Sequence, residues 1–429
     1  MDNIEEKRQK AKKLREEKKY DAALPVFKEL WENDKTKDKW DGWGYAFCLN
    51  KTNNYAEAYK VSRVVYEIDK SFDFIKGTFA FSSFMFNVKD YPDTEPSEKL
   101  EVFVNEIVEV AGEKDDDLFR NKAILKMMDH LQSKVNYNKI LEWSKKINPV
   151  NLDVKDFNGV SSEGKKFRKP SDKESYYLKL SKALEKCEKY NECISLCDEA
   201  LKLFPTEIWF KWHKGVALRQ LNKYDNAIEI LTEVNRTKRD WFVFKELSAC
   251  YYEKKEYENA FKYFLEGCIG SARVPNPENR WELYFLGGKI LHKLNRNDIA
   301  AKHMVYTYRL REESGFKIQD FLQKEVAGMI EQDKRSSGEI MNELKVFWNS
   351  EQNNLSPRLT GTVKTLIKEN SAGFITSDKG TDYYFLAKNF RGNRTDLVSG
   401  KQVEFSLRKS FDRLKNRESE EAINIRVKK

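Results

Sequence analysis

The sequence predicts a mostly α-helical protein, in which a solenoid of helical repeats is followed by a small five-stranded β-barrel. Three observations lead to this prediction. Apolar residues recur at helical spacing through most of the chain, a pattern of 33 to 34 residues repeats itself, and beyond Pro357 apolar and polar residues alternate in short runs. We expect the boundaries at residues 1–147 for N-terminal repeats, 148–172 for a loop or seam, 173–312 for further repeats, 313–354 for capping helices and 355–429 for the barrel.

The composition is that of a soluble globular chain. Of the 429 residues, 40% are hydrophobic and 34% are charged. No apolar stretch is long enough between charges to span a bilayer, and the charged N-terminus shows no signal peptide, so we expect a cytoplasmic protein with no membrane partner. The six Cys include no C-x-x-C pair and there are only four His, which predicts reduced, buried thiols, no metal site and no cofactor.

Three consecutive segments carry the clearest repeat. Tyr190, Tyr224 and Tyr257 occupy the same place in each, 34 and 33 residues apart, next to the turn between two predicted helices. This pattern resembles the tetratricopeptide repeat (TPR), a helix–turn–helix unit of 34 residues. The family places small residues where two helices cross and a proline after the second helix, and the matching residues here are Cys193, Pro205, Gly215, Ala227, Ser248 and Ala260. The resemblance implies stacked hairpins that together bury what no single hairpin can bury alone.

Further units extend this array in both directions. Two fit near the N-terminus, around Tyr20 and Tyr55, a weaker one is centred on Tyr137, and a later one is centred on Asn297. Residues 313–354 show apolar residues at helical spacing without the repeat. Because the end of a solenoid exposes apolar surface, we expect these two helices to cap the last repeat.

Residues 148–172 interrupt the array. They are rich in Asn, Asp, Ser, Gly and Lys, which predicts a long loop or a seam between two sub-arrays. The segment Gly159–Lys165 fits the phosphate-binding pattern G-x-x-x-x-G-K. That motif needs Ser or Thr next and then a helix, whereas Lys166 follows here and Pro170 comes soon after. We therefore expect no nucleotide site in this segment.

The C-terminal segment has the pattern of a small barrel. Residues 359–427 contain five short runs of alternating apolar and polar residues, separated by turn signals such as Asp378-Lys379-Gly380 and Ser399-Gly400. The order of residues resembles a cold-shock domain, a five-stranded barrel that binds single-stranded nucleic acid. The matching residues are Gly361, Val363 and Lys364, then AGFI at 372–375, DYYFLA at 382–387, Leu397, Gly400, Val403 and Phe405, and finally Ala422, Asn424 and Ile425.

Strand alternation separates the core of this barrel from its outer face. It predicts that Val363, Ile375, Tyr383 and Phe385 point inward, and that Lys364, Thr365, Asn370, Ala372, Phe374, Tyr384 and Leu386 point outward. The resemblance implies that this outer face is a platform on which bases stack. Phe374 and Tyr384 keep its aromatic character, while Thr365, Ala372, Leu386 and Ala387 stand where the family has aromatic residues or histidine.

Charge in the same segment points to a polyanion. Residues 355–429 carry 16 Lys and Arg against nine Asp and Glu, so they hold most of the net charge of +9. Cations interleaved with aromatics suit a phosphate backbone with stacked bases. The residues predicted to bind single-stranded RNA or DNA are Lys364, Phe374, Tyr384, Lys388, Arg391, Arg394, Arg408, Lys409, Phe411, Arg413, Lys415 and Arg417.

The repeats have their own candidate surface. The first helix of each hairpin faces the groove of a solenoid, and its groove positions here mix cations with aromatics and hold few carboxylates. Such a groove suits an acidic peptide, a C-terminal carboxylate or RNA, and the sequence does not choose among them. The residues predicted to line it are Lys182, Lys186, Trp209, Trp212, Arg219, Lys245, Tyr252, Lys289, His292 and Lys293.

Together these features predict a non-enzymatic adaptor. The repeats would hold a protein or peptide partner, and the barrel would hold single-stranded RNA or DNA. The alternative is a pure protein scaffold within a multi-component system, possibly bacterial, with the barrel as a protein-contact module. An enzyme is not expected, because the sequence shows no ordered set of acid, base, nucleophile or metal ligand.

Overall fold

The structure, a computed structural model, divides the chain into two compact units, residues 1–213 and 214–429. The residues that it describes are 4–33, 38–112, 118–161, 163–272, 274–355, 357–367, 369–412 and 417–428.

The first unit consists of antiparallel helical hairpins. A π-helical turn, Phe84–Val88, continues α5, and a short β-hairpin, β1 and β2, precedes α9. The elements are α1 (Ile4–Glu16), α2 (Tyr20–Glu32), α3 (Lys39–Lys51), α4 (Tyr55–Ile68), α5 (Asp73–Ser83), α6 (Ser97–Ala111), α7 (Leu118–Ser133), α8 (Tyr137–Ser144), β1 (Phe157–Val160), β2 (Lys166–Lys169), α9 (Asp172–Lys186), α10 (Tyr190–Leu203) and α11 (Ile208–Gln220), which crosses into the second unit.

The second unit continues with helical hairpins and ends in a closed barrel. Its strands pair in the order β3-β4-β5-β7-β6, and β6 returns to pair with β3. Only β5 and β7 run parallel. The elements are α12 (Tyr224–Thr237), α13 (Trp241–Glu253), α14 (Tyr257–Ser271), α15 (Trp281–Lys293), α16 (Asn297–Glu313), α17 (Asp320–Gln332), α18 (Ser337–Leu355), β3 (Leu359–Ile367), β4 (Ala372–Ser377), β5 (Asp382–Leu386), β6 (Gln402–Asp412) and β7 (Arg417–Val427). The predicted fold class, TPR-like helical repeats followed by a five-stranded barrel, is confirmed.

The repeat register predicted from the tyrosines is also confirmed. The residues chosen as repeat centres are each the first residue of the second helix in a hairpin: Tyr20, Tyr55, Tyr137, Tyr190, Tyr224, Tyr257 and Asn297. Two positions before each of them, one residue takes a left-handed conformation with φ between 58° and 63°. This residue ends the first helix with a pair of backbone hydrogen bonds, as in a Schellman motif.

Small residues let the paired helices approach closely. A Cβ on Gly44 would lie 2.4 Å from the Phe27 ring, and a Cβ on Gly287 would lie 2.2 Å from the Phe264 ring. At Gly215, one of the small positions that the sequence identified, the distance to Leu231 would be 2.8 Å. Each large side chain therefore occupies the space that a glycine leaves, and the helix pairs of both units depend on this fit.

The last helices pack on the final repeat. Trp348 of α18 is 1% exposed, and its indole N–H donates to Nε2 of His303 over 2.9 Å. The other ring nitrogen of His303 lies 2.7 Å from the Ile299 carbonyl oxygen, which sets it as the N–H donor. Burial lowers the pKa of His303 to about 4, so the ring is neutral and both of its nitrogens are satisfied.

The barrel core follows the predicted alternation with two differences. Val363, Ile375 and Phe385 are fully buried as expected, whereas Tyr383 is only half-buried. Ala372, expected to point outward, is 0% exposed. Ala372 pairs with Ile367 on one side and Leu386 on the other, so two longer side chains flank its methyl group.

The segment 148–172 also differs from its expected loop. It contains the hairpin β1–β2, whose strands pair from Phe157 with Lys169 to Val160 with Lys166. Gly159 and Val160 therefore end a strand, and after Gly164 and Lys165 a second strand follows instead of a helix. A phosphate-binding loop has a helix N-terminus at that point, and this segment has a strand there.

The turn at Val135 gives a test of this fold. Val135 takes φ 58°, is 67% exposed, and is the β-branched member of the set of left-handed turn residues. We expect Val135→Gly to stabilise the protein by about 1 kcal/mol, because glycine adopts this conformation without a steric cost. Thermal unfolding measures the effect. Asn53→Gly, at the equivalent turn with φ 63°, is the control and should change little. A lower midpoint for Val135→Gly would contradict the account.

Candidate nucleic-acid and partner interfaces

An aromatic pair stands on the outer face of the barrel. Phe374 of β4 and Tyr384 of β5 are directly paired residues, and both are half-buried. Their ring centroids lie 5.6 Å apart in an edge-to-face arrangement. Burial and the nearby Glu421 charge raise the pKa of Tyr384, so its hydroxyl stays protonated. Each ring packs against the other, and both present part of their surface to solvent.

The predicted cation beside this pair has a partner. Lys364 forms an ion pair with Asp382, and Thr376 also donates to that carboxylate. The pKa of Asp382 is lowered, and the hydrogen bond from Lys364 is the largest cause. Lys364 is therefore exposed but partly neutralised.

The segment after β5 carries three of the predicted cations. Lys388, Arg391 and Arg394 are all exposed. The guanidinium of Arg391 donates to Oδ1 of Asn424 over 3.2 Å, which holds it along β7. Lys388 and Arg394 line a shallow pocket together with Phe390 and Arg391.

The far end of β6 meets the helices of its own unit. Arg408 pairs with Glu421 over 3.0 Å and lies 3.9 Å from Glu266 of α14. The Arg236 guanidinium lies 5.4 Å from the centre of the Phe411 ring. Arg408 and Phe411 thus contact neighbouring protein groups, which differs from their predicted role. Lys409 and Arg417 are exposed, and Arg413 and Lys415 lie outside the described residues.

A crevice of about 410 Å³ lies where the barrel meets α14. Arg239, Arg408, Glu266 and Glu421 line it, together with Lys388. Arg239 pairs with Glu266 over 3.0 Å and donates to the Lys409 carbonyl oxygen over 3.3 Å. These ion pairs hold the end of β6 against the helices. Arg391 also lines the crevice, so its four cations outnumber its two carboxylates.

The predicted groove residues of the first unit lie on α9 and α11. Lys182, Trp209 and Trp212 are half-buried, and Lys186 is exposed beside Glu185 at 2.9 Å. Glu185 itself is buried and lies 2.5 Å from the His213 ring nitrogen. Burial acts to raise the pKa of Glu185, but the interactions with His213 and Lys186 outweigh it and the pKa is lowered.

In the second unit, carboxylates occupy the predicted groove. Glu246, 2% exposed, accepts from Arg219 over 2.6 Å and pairs with Lys245 over 3.1 Å. Lys245 also pairs with Glu282 over 2.5 Å. Burial acts to raise the pKa of Glu246, but the charges of Lys245 and Arg219 outweigh it and lower the pKa to about 2. The expectation of a groove with few carboxylates is wrong here. The carboxylates that pair with Arg219 and Lys245 come from two successive first helices, α13 and α15.

The remaining predicted groove residues are on α13 and α15. The Lys289 ammonium lies 5.2 Å from the centre of the Tyr252 ring. His292 shares a hydrogen bond of 2.8 Å with Asn297, and Lys293 is exposed. Of the two lysines named here, Lys289 lies against an aromatic ring, and Lys293 has no ion pair within the described residues.

An aromatic surface in the first unit was not predicted. Trp40 is 47% exposed and Phe74 is 57% exposed, with ring centroids 5.2 Å apart. Trp43 lies 5.3 Å from Phe74, and the Arg15 guanidinium lies 4.4 Å above the Trp43 ring. We call these four residues the aromatic surface. Its signal in the sequence was the spacing of Trp40 and Trp43 on one helix face, but Phe74 joins them only through the packing of α3 against α5.

The described part of the chain holds no group of three or more His, Cys, Asp or Glu residues arranged to bind a metal ion. None of its helices has both the length and the hydropathy to cross a membrane.

The Glu246 network gives the second test. Glu246→Gln leaves two cations without their shared carboxylate, so we expect a loss of about 3 kcal/mol in the free energy of unfolding, measured by denaturant titration. The control is Glu256→Gln at an exposed ion pair, which should have no effect. Because the folded pKa is about 2 and the ordinary value is 4.5, the wild type should lose this stability as the pH falls from 4.5 towards 2. Equal stability of wild type and Glu246→Gln at pH 7 would contradict the network.

No family model matches the chain, and no curated protein matches it. Among solved structures, MamA from Desulfovibrio magneticus RS-1 aligns at 15% identity over 45% of this chain and 96% of that chain, with a TM-score of 0.33. The human IFIT1 dimer with PPP-AAAA aligns at 12% identity over 75% and 72%, with a TM-score of 0.38. The APC/C hetero-tetramer Cut9-Hcn1 aligns at 14% identity over 78% and 56%, with a TM-score of 0.40. The chain is similar to these helical repeat proteins, and its own hairpins are TPR-like.

Proposed function

We propose that this chain is a non-enzymatic adaptor whose barrel binds single-stranded RNA or DNA and whose helical repeats bind a protein. The observation that carries the first part is the Phe374–Tyr384 pair, two partly exposed rings 5.6 Å apart on the outer face of the barrel. Exposed aromatics cost free energy in water, so a surface that keeps two of them together suits a ligand with flat faces. Unpaired bases offer such faces.

The surrounding charge supports the same ligand. Lys388, Arg394, Lys409 and Arg417 are exposed cations of the barrel. Stacked bases bring their phosphates within reach of such flexible side chains, which bind a backbone without reading its sequence. The resemblance to cold-shock domains implies the same use of this face. Arg408 and Phe411 are left out of the proposed interface, because Glu421, Glu266 and Arg236 engage them.

The aromatic surface supports the protein-binding part. Trp, Phe and Arg are the residue types that dominate protein interfaces, and Trp40, Trp43, Phe74 and Arg15 lie together on α1, α3 and α5. We propose that it binds an extended apolar segment of a partner protein. If the barrel does not bind nucleic acid, the alternative is a pure protein scaffold in which the barrel is a further protein-contact module.

The third prediction concerns the Phe374–Tyr384 pair. Phe374→Ala combined with Tyr384→Ala should weaken binding of single-stranded RNA or DNA to the whole chain by at least about tenfold, because each lost stack costs about 1 kcal/mol or more. Fluorescence anisotropy at low salt measures it. Phe316→Ala combined with Phe321→Ala, two Phe that are 48% and 50% exposed on the helical part, is the control. Unchanged affinity in the barrel variant would contradict the proposal.

The salt dependence of the same binding is a second readout. Contact with about five phosphates predicts a log–log slope near −3.5 for a single strand. A slope close to zero would show that phosphate contacts contribute little, and would favour the scaffold alternative.

The fourth prediction concerns the aromatic surface. Trp40→Ala combined with Phe74→Ala should remove a protein that co-purifies with the wild type after nuclease treatment, because truncated interface aromatics cost about 2 kcal/mol or more each. The control is Val64→Ala combined with Val102→Ala, at exposed apolar positions of the same unit. If the same proteins co-purify with the wild type and with both variants, the aromatic surface is not the interface.

A further inference from the structure

The hairpin β1–β2 presents two aromatic rings to solvent. Phe157 is 60% exposed and Phe167 is 46% exposed, and their ring centroids lie 6.1 Å apart. Phe157 pairs with Lys169 and Gly159 pairs with Phe167, so these four residues share one face of the hairpin. The opposite face holds Asn158, Val160, Lys166 and Arg168, so both rings lie on one side of the hairpin.

Gly159 makes room for both rings. A Cβ at this position would lie 2.7 Å from Cζ of Phe167 and 2.9 Å from Cε1 of Phe157. Both rings therefore pack over the backbone of Gly159, and a side chain at this position would displace them. The arrangement of the two rings therefore depends on the glycine at position 159.

The hairpin is anchored to the helix that follows it. Arg168 donates to Asp156 through Nε over 2.7 Å and to Glu174 through Nη1 over 3.0 Å. Glu174 is 1% exposed in the first turn of α9, where Ser171 caps the helix. An isolated two-stranded hairpin is marginally stable, so this fork of hydrogen bonds gives it a fixed base.

The charge around the rings is positive. Residues 155–169 hold five Lys and Arg against two Asp and Glu. Arg168 is committed to its carboxylates and Lys165 pairs with Glu163 over 2.9 Å. Lys166 and Lys169 are exposed, and within the described residues neither has a carboxylate partner. An apolar partner surface would leave these two ammonium groups unused, whereas a phosphate backbone complements them.

We propose that this hairpin is a second contact for single-stranded nucleic acid, in which unpaired bases stack on Phe157 and Phe167 while Lys169, on the same face, holds a phosphate and Lys166 adds positive charge from the opposite face. The proposal uses no residue of the barrel, so it stands whether or not the barrel binds. It also gives a role to Gly159, which leaves the space that the two rings occupy. A strand held at two places on one chain gains affinity through effective concentration when its length lets both contacts form.

The experiment separates this contact from the barrel. The whole chain, carrying Phe374→Ala and Tyr384→Ala, is titrated with labelled oligouridylate at low salt and then cross-linked by ultraviolet light. We expect residual binding, a cross-link in the peptide that spans residues 157–169, and an affinity lowered by at least about tenfold on adding Phe157→Ala and Phe167→Ala. Gly159→Leu should weaken binding in the same direction, because its side chain displaces the rings. Phe86→Ala, at a Phe of the same unit that is 51% exposed, is the matched control.

Three outcomes would overturn the proposal. One is an unchanged affinity after both hairpin rings are removed. Another is a cross-link that maps only outside residues 157–169. The third is a wild-type dimer, seen by light scattering, that the hairpin variants convert to a monomer, because the rings would then be covered by a second copy. If the hairpin fails while the wild-type barrel binds, the proposed function survives and only this contact is lost.

Discussion

The close approach of paired helices is the constraint on which the helical part depends. Where a glycine lies opposite Phe27, Leu231 or Phe264, the large side chain fills the space that a Cβ would take. The hairpins then stack with their apolar faces turned towards one another, so each buries surface that it could not bury alone. The surfaces for which we propose binding lie outside this packing, on exposed helix faces and on the hairpin between α8 and α9.

The charges of this protein fall into two groups that the structure distinguishes. One group is committed to the fold: Glu246 joins Arg219 and Lys245, and Arg408 joins Glu421 beside α14. The other is exposed beside aromatic rings, as on the barrel and on the β1–β2 hairpin. Removing one partner of a buried ion pair strongly destabilises the folded protein, so the charges of the first group are not available to bind a ligand. Binding is therefore proposed where cations and rings remain accessible together.

The periodic features were predictable from the sequence. The tyrosines of the repeat mark the first residues of second helices, and strand alternation identified Val363, Ile375 and Phe385 as core, because both depend on local spacing. Features that depend on contacts between distant segments were not predictable in this way. Glu246 and Glu282 reach the predicted groove from helices other than that of Arg219, and Phe74 joins Trp40 only after α3 and α5 pack. The β1–β2 hairpin was missed because its short polar strands resemble a loop.

Accessible aromatic rings, with their neighbouring cations, are the centre of the proposed function. Its central claim is tested most directly by titrating the whole chain with a labelled single-stranded oligonucleotide and with the matching duplex at low salt. The account predicts tighter binding of the single strand, by at least about tenfold, because bases stacked within a duplex cannot lie on the rings. Equal affinity for both forms, or no binding to either, would contradict it.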